Sequence, residues 1–229
     1  LLPTEGKVKV FGLDTLAEDD IPSIRSRSSL VLQNPDHQLL ANTVREDVAF
    51  GLVQLGLKEE EARERVEQAL RFLGIEHLAS RDPFTLSAGE KKKVALAGAL
   101  ARRPALLISD ESTGMLDPAS REEVMEALLS WMRKSGAALL HATHRAEEIA
   151  LGDRVVLLDR GQMVFSGNPV DLLEGKTPSE MGLRPPQRWE LVRELARRGH
   201  RISASPLTFS SLVEALSRLL EKGGGGHDT

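Results

Sequence analysis

Two adjacent carboxylates, Asp110 and Glu111, end the aliphatic run ALLIS at residues 105–109. At the carboxyl end of a buried parallel strand, one carboxylate can hold Mg²⁺, directly or through water. The next, pointing elsewhere, can orient and deprotonate an attacking water. By itself the pair is equally a strand that ends in acidic residues. A second constellation is LSAGE, Leu86 to Glu90. Ser87 and Glu90 form an S-x-x-E capping box, which alone marks a well-capped helix start. The same Ser hydroxyl, with the free amides of the small residues Ala88 and Gly89 and of Glu90, also makes an anion site. Gln33, just past RSSLVLQ, can reach a metal or a water; in isolation it is a solvated loop glutamine. His144 follows the strand pattern AALLHAT and can contact a phosphate oxygen; in isolation it is a loop histidine. His141 and His144 do not make a metal pair, because an extended segment points them apart and no third ligand is nearby.

These residues need a scaffold, and the patterning predicts one. A turn at Pro3–Gly6 precedes a short strand at 7–11. LKEEEARERVEQALRFLG carries Ala62, Val66, Ala69, Leu70 and Leu73 at helical spacing and stops at Gly74. LSAGEKKKVALAGALARR predicts a helix with Val94, Ala97 and Leu100 or Ala101 on one side. ALLIS is a strand, and PASREEVMEALLSWMRKSG is a helix opened by Pro118 and ended by Gly136. AALLHAT is the next strand, HRAEEIALG a short helix, and RVVLLDRGQMVFSG two strands about a turn at 159–162. Apolar strands alternating with helices predict a parallel sheet covered on both faces. From about Thr177 two helical patterns form a small appendix over 177–222, and residues 223–229 read as a disordered tail.

Bulk properties remove several functions. The net charge of −4 gives no general pull towards nucleic acid. The absence of Cys removes disulfides, thiol catalysis and thiolate metal sites. No apolar run approaches the ~20 residues of a membrane span. With six Phe, two Trp and no Tyr, the core is expected to be aliphatic. Residue 1 is Leu, and LLPTEGKVKVFGLD reads like the middle of a domain, so further sequence is expected ahead of it.

Order and spacing unite the candidates. A Gln after a strand, a helical insert, LSAGE opening a helix, SDESTGMLD and then a strand leading to His occur in one series. The series resembles the nucleotide-binding subunit of ABC transporters, whose signature is usually LSGGQ and whose Walker B usually continues as D-E-P-T-S-x-L-D. The resemblance implies an α/β P-loop NTPase core over residues 1–173, N-terminally incomplete, with a helical subdomain over about 36–102. It implies that Gln33 is the Q-loop residue, Asp110 the Mg²⁺ ligand assisted by Gln33, and Glu111 the catalytic base. Ser87, Ala88, Gly89 and Glu90 would bind ATP, Asp117 would end the D-loop, and His144 would be the switch histidine. The finer resemblance is to energy-coupling factor and cobalt-type importer ATPases. QNPDHQLLANTVREDVAFG looks like their Q-loop continuation, KKKVALAGALARRP like their signature helix, and MGLRPPQRWELVRELARRG like their C-terminal domain.

In that family two ATPase subunits, identical or different, sandwich two ATP molecules. They sit on the cytoplasmic face of the membrane, docked peripherally on a transmembrane coupling protein, and a separate membrane subunit binds the metal ion or vitamin. The resemblance implies these partners here and no nucleic acid. Departures are Ala88 for Gly, Glu90 for Gln and Ser112 for Pro. Ala88 obstructs a phosphate if positive φ is needed there. Glu90 adds negative charge that Lys91–Lys93 would offset; otherwise that run is a solvated face. The sequence contains no G-x-x-x-x-G-K-[ST]. Its one GK-[ST], Gly175–Lys176–Thr177, lacks the upstream Gly and follows a helix. A non-hydrolysing subunit that lends only LSAGE in trans is therefore the alternative. A DNA-repair ABC ATPase does not fit, because the stretch between Gln33 and Leu86 is too short for a coiled-coil insertion and holds no Cys.

Overall fold

The computed structural model describes residues 3–174, 185–200 and 208–223. The chain packs into two compact units, Leu1–Ala142 and Thr143–Thr229.

The first unit begins with two short antiparallel strands, β1 (Lys9–Val10) and β2 (Leu13–Asp14). The strand expected over 7–11 is shorter because Phe11 (φ 56°) and Gly12 (φ 81°) form a tight hairpin turn. Positive φ at both central residues matches the twist of the flanking strands. At Phe11 that backbone is unusual for a bulky side chain. The Arg27 guanidinium stacks 4.0 Å from the Phe11 ring centroid. Arg27 ends α1 (Ile21–Arg27), which leads directly into β3 (Ser28–Val31).

A helical layer follows. In α2 (Val44–Gln54) a capping box of Thr43 and Glu46 fixes the start. In α3 (Glu59–Phe72) the apolar stripe Ala62, Val66, Ala69 and Leu70 is buried, as its spacing predicts. Helix α4 (Ala88–Ala101) is buried on almost every side from Lys92 onward. Such all-round burial belongs to a helix enclosed by its neighbours. Val44, Val48 and Leu52 of α2 and Val66 and Leu70 of α3 complete the aliphatic core of this layer.

From α4 the chain enters β4 (Leu106–Asp110), then α5 (Pro118–Ser135) and β5 (Ala138–Ala142). Gly136 ends α5 in the left-handed region (φ 69°), its amide donating to Met132 O. The three strands form a parallel sheet in the order β3–β4–β5. Ser29 aligns with Leu107 and Leu139, and Val31 with Ser109 and His141. Val31, Leu107 and Ser109 on that face are fully buried. On the other face Leu30 and Leu140 stay 47% and 61% exposed. The expected covering of both faces is therefore met on one only. Unbroken apolar strands suit two-sided burial but cannot place helices on either side.

Leu107, fully buried three residues ahead of Asp110, anchors the sheet beneath the site. Leu107→Ala is expected to cost about 2–5 kcal/mol, from lost transfer energy plus the residual cavity. Urea unfolding checks it: a loss under about 1 kcal/mol would show that the packing collapses around the gap.

The second unit holds the short helix α6 (Ala146–Ile149) and the antiparallel hairpin of β6 (Val155–Asp159) and β7 (Gln162–Gly167). The predicted turn at 159–162 is present, with Arg160 and Gly161 both at positive φ. Helices α7 (Pro169–Glu174), α8 (Gln187–Arg197) and α9 (Phe209–Gly223) follow. The expected helical patterns of the appendix thus include α8 and α9. Gly175–Lys176–Thr177 and residues 224–229 of the expected tail lie outside the described residues.

Candidate functional site

Strand β4 delivers Asp110 to the end of the sheet. The next residue, Glu111, turns the chain with φ 44°, one of four non-glycine residues at positive φ among those described. Such backbone costs on the order of 1–3 kcal/mol and persists where surrounding contacts over-determine it. Here the Glu111 amide donates to Ala142 O (3.0 Å), and Glu111 O accepts from the Gly114 amide (3.0 Å). Beneath the turn, the Ser109 hydroxyl lies 2.9 Å from His141 Nδ1 and hydrogen-bonds the Ser112 hydroxyl. Both serines are fully buried. Ser112, where the family pattern has Pro, is thus absorbed into a polar network, and His141 is a hydrogen-bonded sheet residue.

Gln33 lies beyond the end of neighbouring β3, and its side-chain amide donates to Glu111 Oε2 at 2.8 Å. This joins two residues singled out separately in the sequence. The loop after Gln33 is shaped locally: Asn34 accepts from the Asp36 amide, and Pro35 opens a single 3-10 turn, Pro35–His37. Gln38 turns back on β3, its carbonyl accepting from the Leu32 amide (2.7 Å) and its amide donating to Leu30 O (2.9 Å). Sequence reading did not single out Gln38. A glutamine seven residues past a strand end carries no local signal of such a bond.

At the start of α4, Ser87 and Glu90 form the expected reciprocal cap. The Glu90 carboxylate accepts from the Ser87 amide (2.8 Å) and hydroxyl (2.7 Å). The Ser87 hydroxyl, mainly, and its amide hold the Glu90 carboxyl below its ordinary range. Ser87 and Ala88 are exposed at this tip. Ala88 is the first residue of α4 and lies in ordinary right-handed backbone, so the feared obstruction does not arise. The tip forms its own cluster beside the loop at 112–117, with Gly89 close to the Leu116 side chain. Asp117 ends that loop and caps α5, its Oδ1 accepting from Ala119 (3.1 Å) and Ser120 (3.0 Å) amides. These bonds, from Ser120 first, hold its carboxyl below its ordinary range. Arg121 secures the loop by donating to Leu116 O at 2.8 Å.

The lysine run corrects the sequence reading. Lys91–Lys93 neither form a solvated face nor offset Glu90, whose carboxylate is engaged by Ser87. Lys91 pairs with Asp36 at 2.7 Å, and Lys93 lies 3.9 Å from Glu123 on α5. Lys92 is fully buried and donates to Leu32 O (2.7 Å) and Gln33 O (2.6 Å). Burial pushes its ammonium down to about 8, against the opposing pull of Asp110 and Glu111. Successive helical residues point about 100° apart, so a run of three cannot share one face. The all-round burial of α4 then decides where each goes.

His144 is the second residue of the second unit and is described with it. Beside it, the Thr143 hydroxyl donates to the buried Glu148 carboxylate and accepts from the Arg145 amide (3.1 Å). The first unit therefore brings Gln33, Asp110, Glu111 and Lys92 together, with Ser87–Glu90 at the start of α4 and Asp117 at the start of α5.

The donors at the β4 end suit a hard cation. Asp110 is an exposed carboxylate at the strand terminus. Gln33 adds an amide oxygen, and no group of three or more His, Cys, Asp or Glu able to hold a metal occurs among the described residues. One or two carboxylates, completed by substrate phosphates, is how Mg²⁺ is usually held.

Comparison with known proteins identifies the family. The ABC transporter family model matches residues 1–114. The energy-coupling factor transporter ATP-binding protein EcfA1 of Clostridium novyi is 40% identical over 220 residues, covering 96% of this chain and 79% of that protein. Its counterpart in Symbiobacterium thermophilum is 40% identical over 223 residues, covering 97% and 78%. Among solved structures, cbiO1 from Clostridium perfringens, part of the ABC transporter complex cbiONQ, superposes with a TM-score of 0.68 at 35% identity, over 84% of this chain and 78% of that one. A dimeric ATP-binding cassette, MJ0796, bound to ADP and Pi, gives 0.67 at 27% identity over 73% and 75%. The fold is the α/β core of the P-loop ABC ATPases, and the chain belongs to the ABC transporter ATP-binding family. Within it, the chain belongs with the energy-coupling factor ATP-binding proteins, a family of ATP hydrolases. No described helix is long and apolar enough to cross a membrane.

Proposed function

We propose that this chain is the ATP-hydrolysing subunit of an energy-coupling factor importer, driving uptake of a metal ion or vitamin from the cytoplasmic face. The carrying observation is the hydrogen bond from Gln33 to Glu111, which places a loop that can sense a partner against the candidate base. Glu111 takes the proton of the attacking water. Gln33 orients the carboxylate and, with Asp110, offers oxygen ligands to Mg²⁺, which neutralises phosphate charge when bound. Ser87 and the amides of Ala88 and Gly89 take the γ-phosphate held by a second ATPase subunit, the Glu90 amide being given to the Ser87 hydroxyl, and Asp117 lies on the loop that crosses to it. His144 contacts the γ-phosphate and, with Gln33, reports its presence. Residues 1–173 form the ATPase domain, with 36–102 as its helical subdomain and 177–222 as the appendix.

The transmembrane partner docks beside the loop after Gln33. A separate membrane subunit supplies substrate recognition. The 229-residue chain, whose sequence contains no G-x-x-x-x-G-K-[ST], is expected to bind Mg·ATP weakly on its own. Calorimetric titration checks this, and micromolar affinity would contradict it. The decisive test of the function is reconstitution of the full-length ATPase with its membrane partners in liposomes. ATP-dependent uptake supports the reading; a complex that assembles and binds ATP without hydrolysing it would favour the non-hydrolysing alternative.

A further inference from the structure

Lys92 is the largest fully buried side chain among the described residues, and it is charged. Nothing in the hydrolysis chemistry above uses it. A buried ammonium needs good hydrogen-bond partners, and this one finds two backbone carbonyls at the end of another element. Those carbonyls belong to Leu32 and Gln33, at 2.7 and 2.6 Å. Gln33 in turn donates to Glu111 at 2.8 Å. One helical residue earlier, Lys91 grips the same loop through Asp36 at 2.7 Å. The helix carrying both lysines opens at the exposed Ser87 tip.

We propose that Lys92 is a positioning residue that clamps the backbone of Gln33 to helix α4, so that displacement of the helix tip moves Gln33 and, through it, Glu111. The inference rests on the proposed roles of Ser87 and Glu111 for its functional consequence, but the clamp itself does not depend on them. Lys92 touches no reacting group. It acts through Gln33, over a path made of one ammonium, one backbone unit and one side-chain hydrogen bond. A helix transmits motion along its axis because its interior amides and carbonyls are bonded from turn to turn. The ammonium joins that helix to the backbone of Leu32 and Gln33. The charged groups facing it are Glu111, at the far end of that path, and its neighbour Asp110.

The test uses Lys92→Met, which matches length and apolar volume but offers no donor, and Lys92→Arg, which keeps charge and donors. Hydrogen exchange of the 229-residue chain, without nucleotide, reads the amides of Asp36, His37, Gln38 and Leu39 against those of Val94–Ala101. Lys92→Met is expected to speed exchange of the loop amides by about tenfold while α4 keeps its protection, the sign of local rather than global opening. Lys92→Arg is expected to restore the loop. Loop exchange within twofold of wild type in Lys92→Met, equal loss of protection along α4, or Lys92→Arg no better than Lys92→Met would each overturn the clamp. In the assembled full-length transporter, Lys92→Met is expected to lower kcat about tenfold with KM for ATP unchanged. A raised KM with unchanged kcat would overturn the transmission to Glu111. Because the exchange experiment contains no ATP, its failure is distinguishable from failure of the hydrolytic reading.

Discussion

Glu111→Gln in the full-length ATPase is expected to retain nucleotide binding and to lose turnover. General-base contributions are typically ~10²–10⁴-fold, so steady-state hydrolysis should fall at least about 100-fold. The substitution is conservative where it needs to be. A Gln side-chain carbonyl can still accept from Gln33 Nε2, which sits 2.8 Å from the present carboxylate. The backbone bonds that hold φ at 44° involve only the amide and carbonyl of residue 111. What disappears is the ability to accept a proton from water. Trapped ATP should therefore accumulate in the sandwich. A merely twofold drop in hydrolysis would remove Glu111 from the role of base and leave it as a structural end to β4.

The second large effect is expected at Ser87. The hydroxyl does two things at once: it caps α4, accepting from the Glu90 amide at 3.3 Å, and it stands exposed where a partner's phosphate would approach. Ser87→Asp separates them. Asp caps a helix about as well as Ser and is favoured by the helix dipole, although it gives up the bond from the hydroxyl to Glu90 and sets a second carboxylate beside that one. Ser87→Ala loses the cap and is expected to cost ~0.5–2 kcal/mol. Thermal unfolding should thus rank Ser87→Asp above Ser87→Ala. Hydrolysis should rank the other way, with Ser87→Asp abolishing turnover at the site built with the partner's phosphate loop, because a carboxylate there repels the γ-phosphate. Ser87→Arg should block the same site by filling it. Normal turnover in a Ser87→Asp complex would leave LSAGE as a helix start and nothing more.

Much of this protein is legible in its sequence, because much of it is decided within four residues. The Ser87–Glu90 cap, the Asp117–Pro118 opening of α5 and the Gly136 stop depend on geometry between near neighbours, which residue type alone nearly dictates. The stripe of α3 and the alternation of strand and helix follow from periodicity in the same way. The hairpin at Arg160–Gly161 was legible for the same reason, whereas the one at Phe11–Gly12 was not, since Phe rarely adopts positive φ. The tertiary structure alone decided what joins distant segments. Gln33 and Glu111 are 78 residues apart, and no spacing rule states that β3 and β4 are neighbours whose ends meet. Lys91–Lys93 read as a charged surface because three lysines in sequence usually are one. Packing of α2, α3 and the β3 end around α4 instead buried the middle lysine on two carbonyls 59 and 60 residues away. Local hydrogen bonds form at little entropic cost and leave their mark in sequence. A buried charge is tolerated only where the completed fold supplies its partners, so its position becomes visible only once the fold is complete.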